Sequence, residues 1–409
     1  VLVRPFAALR PSAATASQVI APPYDVVDTD EARALAAGRP ESFLHISRPE
    51  IDLPPGTDPH GDAVYATGRR NLERLIATHV LERDARPCFY VYRMTMGAHT
   101  QTGFAAAASV QGYEQARIHR HELTRPDKED DRVRNIVALN AQTGPVLLAY
   151  KANATVDGLL ARHSALPPLF EARGQHDVLH AVWRIDNPGD IAQFQSALDA
   201  LADLYIADGH HRSAAAARIA AARRGSISRP AASHEFFLSV AFPDDQMRIF
   251  DYNRIVMDLN GLSAADFVAA VGKVFRCTPL ARGDKPASPR QFGMYLDRCW
   301  YRLEAPEARP DASPVARLDV SRLQDAIIAP LLGIADPRTD SRIGFVGGVR
   351  GLRELERRVD GGDAAVAFAL FPTQMRELMD VADAGLLMPP KSTWFEPKLA
   401  DGLLSHVLD

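Results

Sequence analysis

Cysteine is almost missing from this chain: Cys88, Cys277 and Cys299 are three in 409 residues, scattered and odd in number. That excludes a disulfide framework. With no Cys-x-x-Cys pair and no His-Glu-x-x-His helix, the common sequence-encoded zinc shells are excluded as well. No apolar run reaches the length of a bilayer span, and Val1-Leu2-Val3-Arg4-Pro5 has no charged leader followed by an apolar stretch, so neither a membrane span nor a signal peptide is expected. Reduced thiols and the missing leader predict a cytoplasmic setting. An excess of one charge is absent too: 47 Lys+Arg against 51 Asp+Glu give a net charge of -4, which withholds the pull toward nucleic acid that a DNA-binding reading needs. Nor is there a phosphate loop ending in Gly-Lys-Ser/Thr. The glycine-rich Gly344-Phe345-Val346-Gly347-Gly348-Val349-Arg350-Gly351 lacks the Gly-x-Gly-x-x-Gly spacing and reads as a tight turn.

What is present describes a globular chain, 46% hydrophobic and 24% charged, long enough to form two lobes. Strands are expected at 3–10, 43–46, 145–150, 178–185, 294–303 and 364–371, and hairpins at 88–94 with 102–110 and at 236–242 with 248–257. Helices are expected at 29–37, 63–79, 156–163, 190–203, 264–275 and 321–332, and Arg224 to Pro230 reads as a surface loop. Hairpins mixed with helices indicate an α+β class, mixed sheets with flanking helices. The Pro-rich stretch 304–314 is the expected boundary between an N-terminal and central region, 1–305, and a C-terminal α/β lobe, 306–409, whose 343–371 has β-α-β spacing.

The most informative segment is Ala207-Asp208-Gly209-His210-His211-Arg212-Ser213-Ala214. Leu204 to Ala207 reads as a short buried strand and Ser213 to Ala222 as an Ala-rich helix, so the acid-glycine turn sits where a strand hands over to a helix. Free N–H groups and the positive end of the helix dipole point outward there, and Arg212 adds a two-pronged donor, which together suggest a phosphate site. The alternative is that Asp208 simply caps the helix, but a cap explains Asp208 without needing His210, His211 and Arg212 together. A zinc ion on His210 and His211 is not expected, because adjacent histidines in a tight turn rarely aim both rings at one ion.

Two other segments carry chemistry. Arg117 to Arg134 holds 13 titratable residues in 18 with alternating signs, the pattern of a solvated helix or loop. Glu122 is the exception, since an imidazole neighbour and nearby arginines could fix its ionisation and aim it at a hydroxyl. Met388 to Lys398 has a rigid Pro-Pro entry presenting Lys391, two hydroxyls and an aromatic; it either closes over an anion or docks Trp394 and Phe395 into the core.

Arg4-Pro5-Phe6, Ala21 to Val26, Ser42 to His45, His121 to Glu129, Asp208 to Arg212 and Met388 to Lys398 together resemble, over nearly the full length, a large prokaryotic family long labelled a domain of unknown function and often given a ParB-like name. The resemblance implies a ParB/sulfiredoxin-like core elaborated by a second α/β lobe. It also implies kinship with free-serine kinases, one branch using pyrophosphate and a shorter group using ADP. In that superfamily a Gly-x-x-Arg turn before a helix binds phosphate, matched here by Gly209, His210, His211 and Arg212, and His121-Glu122 resembles the kinases' His-Glu base. The resemblance thus implies phosphoryl transfer to the hydroxyl of free L-serine, from pyrophosphate or a nucleotide, with a magnesium ion accompanying the donor. Glu122, Asp208 and His210 would be catalytic, with Arg125, Lys128 and Lys391 as further phosphate contacts. Two alternatives are a ParB-like nucleotide- or DNA-associated protein and a phosphatase of a small phosphometabolite.

Overall fold

The structure is a computed structural model and describes residues 1–224 and 232–409, so most of the loop expected at 224–230 lies outside the described residues. The chain divides into two compact units, 1–247 with 397–409, and 248–396. The boundary expected at 305/306 therefore lies inside the second unit, because strands on both sides of 304–314 belong to one sheet.

The first unit is built on a mixed sheet. Its strands run in space as Ile118–His119, Leu204–Asp208, Val146–Tyr150, Phe236–Pro243, His99–Ser109, Phe89–Met96, Leu179–Ile185 and Phe170–Arg173, with Val3–Arg4 added on His99–Ser109. The expected hairpin is there, Phe89–Met96 against His99–Ser109. Helices Ala154–Ser164, Pro188–Asp199 and His210–Arg224 accompany the sheet. Phe89, Phe104, Leu148, Phe194, Ile206 and Phe237 belong to its core. A second core, around Leu9, Phe43, Leu72, Leu75 and Leu81, lies under helix Asp62–Ala77. The C-terminal residues return to this unit, where Ser405–Val407 pairs with Ala8–Pro11 and Ala141–Gln142.

Four sequence expectations change. The strand expected over 3–10 is two strands, Val3–Arg4 and Ala8–Pro11, in different sheets. Phe43 to Ile46 is not a strand: Leu44–Ser47 is a helical turn, since a four-residue run with three apolar side chains fits either period. The 236–257 hairpin does not form, because Phe236–Pro243 pairs with His99–Ser109 and Val146–Tyr150 while 248–257 belongs to the second unit. Residues 294–303 fold as two strands, Gln291–Leu296 and Cys299–Glu304, turning at Asp297 and Arg298, both at positive φ.

The second unit has one six-stranded sheet, ordered Arg276–Leu280, Cys299–Glu304, Gln291–Leu296, Val366–Leu370, Tyr252–Val256 and Ile343–Gly347, every neighbouring pair antiparallel. The glycine-rich segment is a strand and tight turn leading into helix Gly351–Asp360. Trp394–Phe395 pairs with Ile249–Phe250, and Phe395 is buried. This is the core-docking reading of 388–398. Sheets with flanking helices place both units in the α+β class.

Candidate functional site

The site is assembled by one parallel pairing. Ile118–His119 lies beside Leu204–Asp208 with Ile118 opposite Leu204 and His119 opposite Tyr205. Parallel strands end at the same edge, so the residues after each, His121-Glu122 and Gly209-His210, are delivered to one place. The His119 and Tyr205 rings stack across the pair at 4.9 Å. On its other side Leu204–Asp208 is antiparallel to Val146–Tyr150, and the register shifts between Ile206 and Asp208, an irregularity that re-aims Asp208 at the strand's end.

Gly209 makes the turn. Its φ is +101°, and a Cβ there would stand 3.3 Å from the Arg212 guanidinium and from Val146 Cα. Helix His210–Arg224 starts immediately after, with the Arg212 and Ser213 amides donating to the Gly209 carbonyl. The amides of His210 and His211 come before the first intrahelical donor, Arg212, and form the donor-rich mouth of the helix.

Asp208 does not cap that helix. Its Oδ2 accepts from Lys398 Nζ at 2.9 Å, and its Oδ1 lies 3.6 Å from Arg212 Nη2. Burial would raise this carboxyl, but Lys398 and Arg212 outweigh it and hold Asp208 well below the usual carboxylate range. Arg212 is nine-tenths buried: Nη1 donates to the Pro145 carbonyl, Nη2 lies 3.5 Å from Asp25 Oδ2, and Nε has no protein partner. Burial works against its charge, yet Asp25 and Asp208 raise its pKa. Its inner side, with Tyr24, Arg132 and Asp401, lines a small recess.

The two adjacent histidines part company. His211 Nε2 accepts from the Arg125 backbone amide at 3.1 Å and so ties down the segment after Glu122. His210 is 5% exposed and turns the other way, to His121. Their rings meet edge to face at 4.5 Å, the His121 amide donates to His210 Nε2 at 3.5 Å, and His210 Nδ1 lies 3.8 Å from Glu122 Oε2. Burial, countered only in part by Asp208, lowers His121 to about 4; burial and the His121 ring push His210 well below its ordinary value. Both rings are therefore neutral at physiological pH. The buried Nδ1 of His121 has no protein partner.

The remaining expected residues fall differently. Arg125 sends its side chain to Asp127, 2.9 Å away, and offers the site only its amide. Lys128 is exposed near the start of helix Pro126–Leu139. That helix is not simply solvated: Asp131 bonds Tyr65 and His60, and Arg132 lies 3.7 Å over the Tyr24 ring. Lys391 belongs to the second unit, exposed, 5.9 Å over the Tyr252 ring. The lysine of that segment that meets Asp208 is Lys398, which sequence reasoning passed over although Pro390-Lys391 and Pro397-Lys398 repeat one dipeptide. Asp25 and Asp401 were missed as well. Asp401, fully buried, is pushed up to about 7 by burial, only partly offset by Arg212.

A magnesium ion wants an octahedron of hard oxygens. Asp208 is engaged by Lys398 and Arg212, and Asp25 faces Arg212. Among the described residues one group of three converges as metal ligands would, and it is His121, Glu122 and His210, with two nitrogens. The residues present do not fit a protein-held magnesium ion.

No curated protein matches the chain. Among solved structures, a free serine kinase mutant in complex with ADP is similar at a TM-score of 0.36 and 12% identity, over 71% of this chain and 87% of that one. A conserved hypothetical protein from Pyrococcus furiosus gives 0.35 and 11%, over 73% and 94%. SbnI with a C-terminal truncation, from Staphylococcus aureus, gives 0.37 and 12%, over 73% and 85%. These are remote likenesses, and no residue role is carried over from them. Residues 3–321 match the family described as a protein of unknown function, DUF1015, and the chain belongs to that family.

Proposed function

We propose that the elbow at Asp208–Arg212 is a phosphoryl-transfer site and that the chain is a small-molecule kinase acting on the hydroxyl of free L-serine, with pyrophosphate or a nucleotide as donor. The observation that carries this reading is the delivery of Glu122 to the mouth of helix His210–Arg224, 3.8 Å from His210, with Lys398 and Arg212 on the Asp208 side. Phosphoryl transfer needs an anion cradle, charge neutralisation and a base aligned with the hydroxyl, and these residue types supply the three. The resemblance of Gly209 to Arg212 and of His121-Glu122 to motifs of the ParB/sulfiredoxin-like group supports it.

In this reading Glu122 accepts the hydroxyl proton as the serine oxygen attacks phosphorus, and the bond from phosphorus to the leaving phosphate oxygen breaks. With Nε2 accepting from the His121 amide, His210 carries its proton on Nδ1, facing Glu122, and orients the carboxylate. The helix-mouth amides, Gly209 among them, and Arg212 hold phosphate oxygens, with Lys398 alongside. Asp208 keeps Lys398 and Arg212 in place, a positioning role. His211 fixes the Arg125 segment, which leaves Lys128 as an outer phosphate contact.

The test is phosphorus NMR of the full chain with L-serine, magnesium and, in turn, pyrophosphate, ATP and ADP. One donor is expected to give phosphoserine, and Glu122→Gln to lower turnover by about a hundredfold or more at unchanged circular dichroism, the usual scale for a positioned base. No phosphoserine from any donor would falsify the reading, and full turnover in Glu122→Gln removes that residue from its role. Release of phosphate from phosphoserine without transfer would instead mark a phosphatase.

A further inference from the structure

The elbow fails the requirements of magnesium and meets those of a softer ion. We infer that His121, Glu122 and His210 form a binding site for a divalent transition-metal ion of the zinc, cobalt, iron or manganese class. Their ligand atoms all lie within 4.8 Å of one another. Two nitrogens and one carboxylate are the donor set that suits those ions, whereas magnesium and calcium take oxygen.

Several features of the cluster belong to metal sites rather than to chance meetings of polar groups. His121 is 2% exposed, and its Nδ1 is buried with no protein partner, an imidazole nitrogen available to an ion. Glu122 brings a carboxylate to the His210 ring, 3.8 Å away. Glu122 is the accessible member, its side chain 47% exposed, so the ion has an entry path and a solvent-facing position for a further ligand. Three protein ligands with one open position is the arrangement of catalytic rather than structural sites.

The geometry requires a modest contraction. Bonds of about 2.0–2.1 Å in a tetrahedral shell put ligands roughly 3.3 Å apart. His210 Nδ1 and Glu122 Oε2 are 3.8 Å apart, a gap that a turn of the exposed carboxylate closes. A metal on Nδ1 moves the His210 proton to Nε2, which gives up the 3.5 Å contact from the His121 amide, a long hydrogen bond. The site does not rest on the proposed transfer.

The measurement is metal retention. The full chain is stripped with a chelator, offered Co²⁺, Zn²⁺, Mn²⁺ or Mg²⁺, passed over a desalting column and assayed for bound metal, with the visible spectrum of the Co²⁺ form recorded. One equivalent of Co²⁺ or Zn²⁺ is expected to stay, with Co²⁺ bands typical of nitrogen and oxygen ligation, while Mg²⁺ is lost. Glu122→Gln, at an exposed position that leaves folding intact, is expected to weaken Co²⁺ binding by at least about a hundredfold, beyond the usual effect of an outer-shell partner. His121→Gln and His210→Gln, their folding checked by circular dichroism, are expected to abolish retention. No stoichiometric Zn²⁺ or Co²⁺ in the native chain, or retention and spectrum unchanged in Glu122→Gln, overturns the site. Turnover is not part of this readout: a chain that holds the ion and phosphorylates nothing sinks the kinase reading alone.

Discussion

At Gly209 the backbone φ of +101° is closed to ordinary side chains, and the 3.3 Å approach of Arg212 and Val146 leaves a methyl group no slack. Gly209→Ala is expected to cost about 1–3 kcal/mol, read from the urea midpoint at unchanged slope; a loss within error would mean that the elbow relaxes freely. Asp401 makes a second residue-scale prediction. Burial lifts it from 3.8 to about 7 against the pull of Arg212, so between those pH values the folded chain keeps a proton that the unfolded chain has released. Stability therefore falls as pH rises through that window, by up to about 4 kcal/mol, and is fully present only below it. Asp401→Asn cannot ionise and should flatten the difference between denaturation at pH 5 and at pH 8. An identical pH response in both proteins would clear Asp401 of the effect. Single residues of the motif were legible because acid, glycine, imidazole and guanidinium in five positions have few structural uses together. Asp401 was not, because its character comes from burial beside Arg212, 189 positions earlier in the chain.

The strand and the helix of the elbow could each be read from composition, apolar Leu204 to Ala207 and the alanine run from Ser213. What could not be read was the partner: Ile118–His119 is a two-residue edge strand, too short to carry a period, and only its pairing reveals that Glu122 ends beside His210. The same limit explains the failed 236–257 hairpin, where both segments are strands but each pairs elsewhere. The alanines do more than favour helix. Ala216 and Ala220, at 1% and 0% exposure, let His210–Arg224 lie close on the main core, while Ala215 meets Ile136 and Ile219 in a small satellite cluster. Ala216→Leu should therefore cost about 1–3 kcal/mol by overpacking. Because the helix carries the elbow at its start, the same substitution should weaken Co²⁺ retention. Ala221→Leu, on the exposed side, serves as the control expected to change neither. Equal melting of the two variants would mean that the helix has room to move.

On the scale of the whole molecule, the chain leaves the first unit after Met247 and comes back at Pro397, so the second unit is an insertion and the last thirteen residues complete the first. Composition could not reveal this, since a Pro-rich loop inside one sheet looks the same as a linker between two. The returning segment contributes Lys398 to Asp208, Asp401 to the Arg212 recess, and strand Ser405–Val407 between Ala8–Pro11 and Ala141–Gln142. Leu403, Leu404 and Leu408 are 0%, 2% and 1% exposed. Burying each contributes about 1.5–3 kcal/mol, so their joint loss rivals the whole net stability of an ordinary domain. A chain ending at Glu396 is therefore expected to lose the cooperative melting of the first unit. Lys398→Met, which leaves the leucines and the strand in place, is expected to melt near the native temperature and to be impaired in phosphoryl transfer. Differential scanning calorimetry separates the two cases: native-like melting in the truncated chain would show that the first unit closes without its C-terminal strand. Collapse of both proteins would instead put the weight on the contacts of Lys398, its bond to Asp208 among them, which both changes remove and the leucines cannot replace.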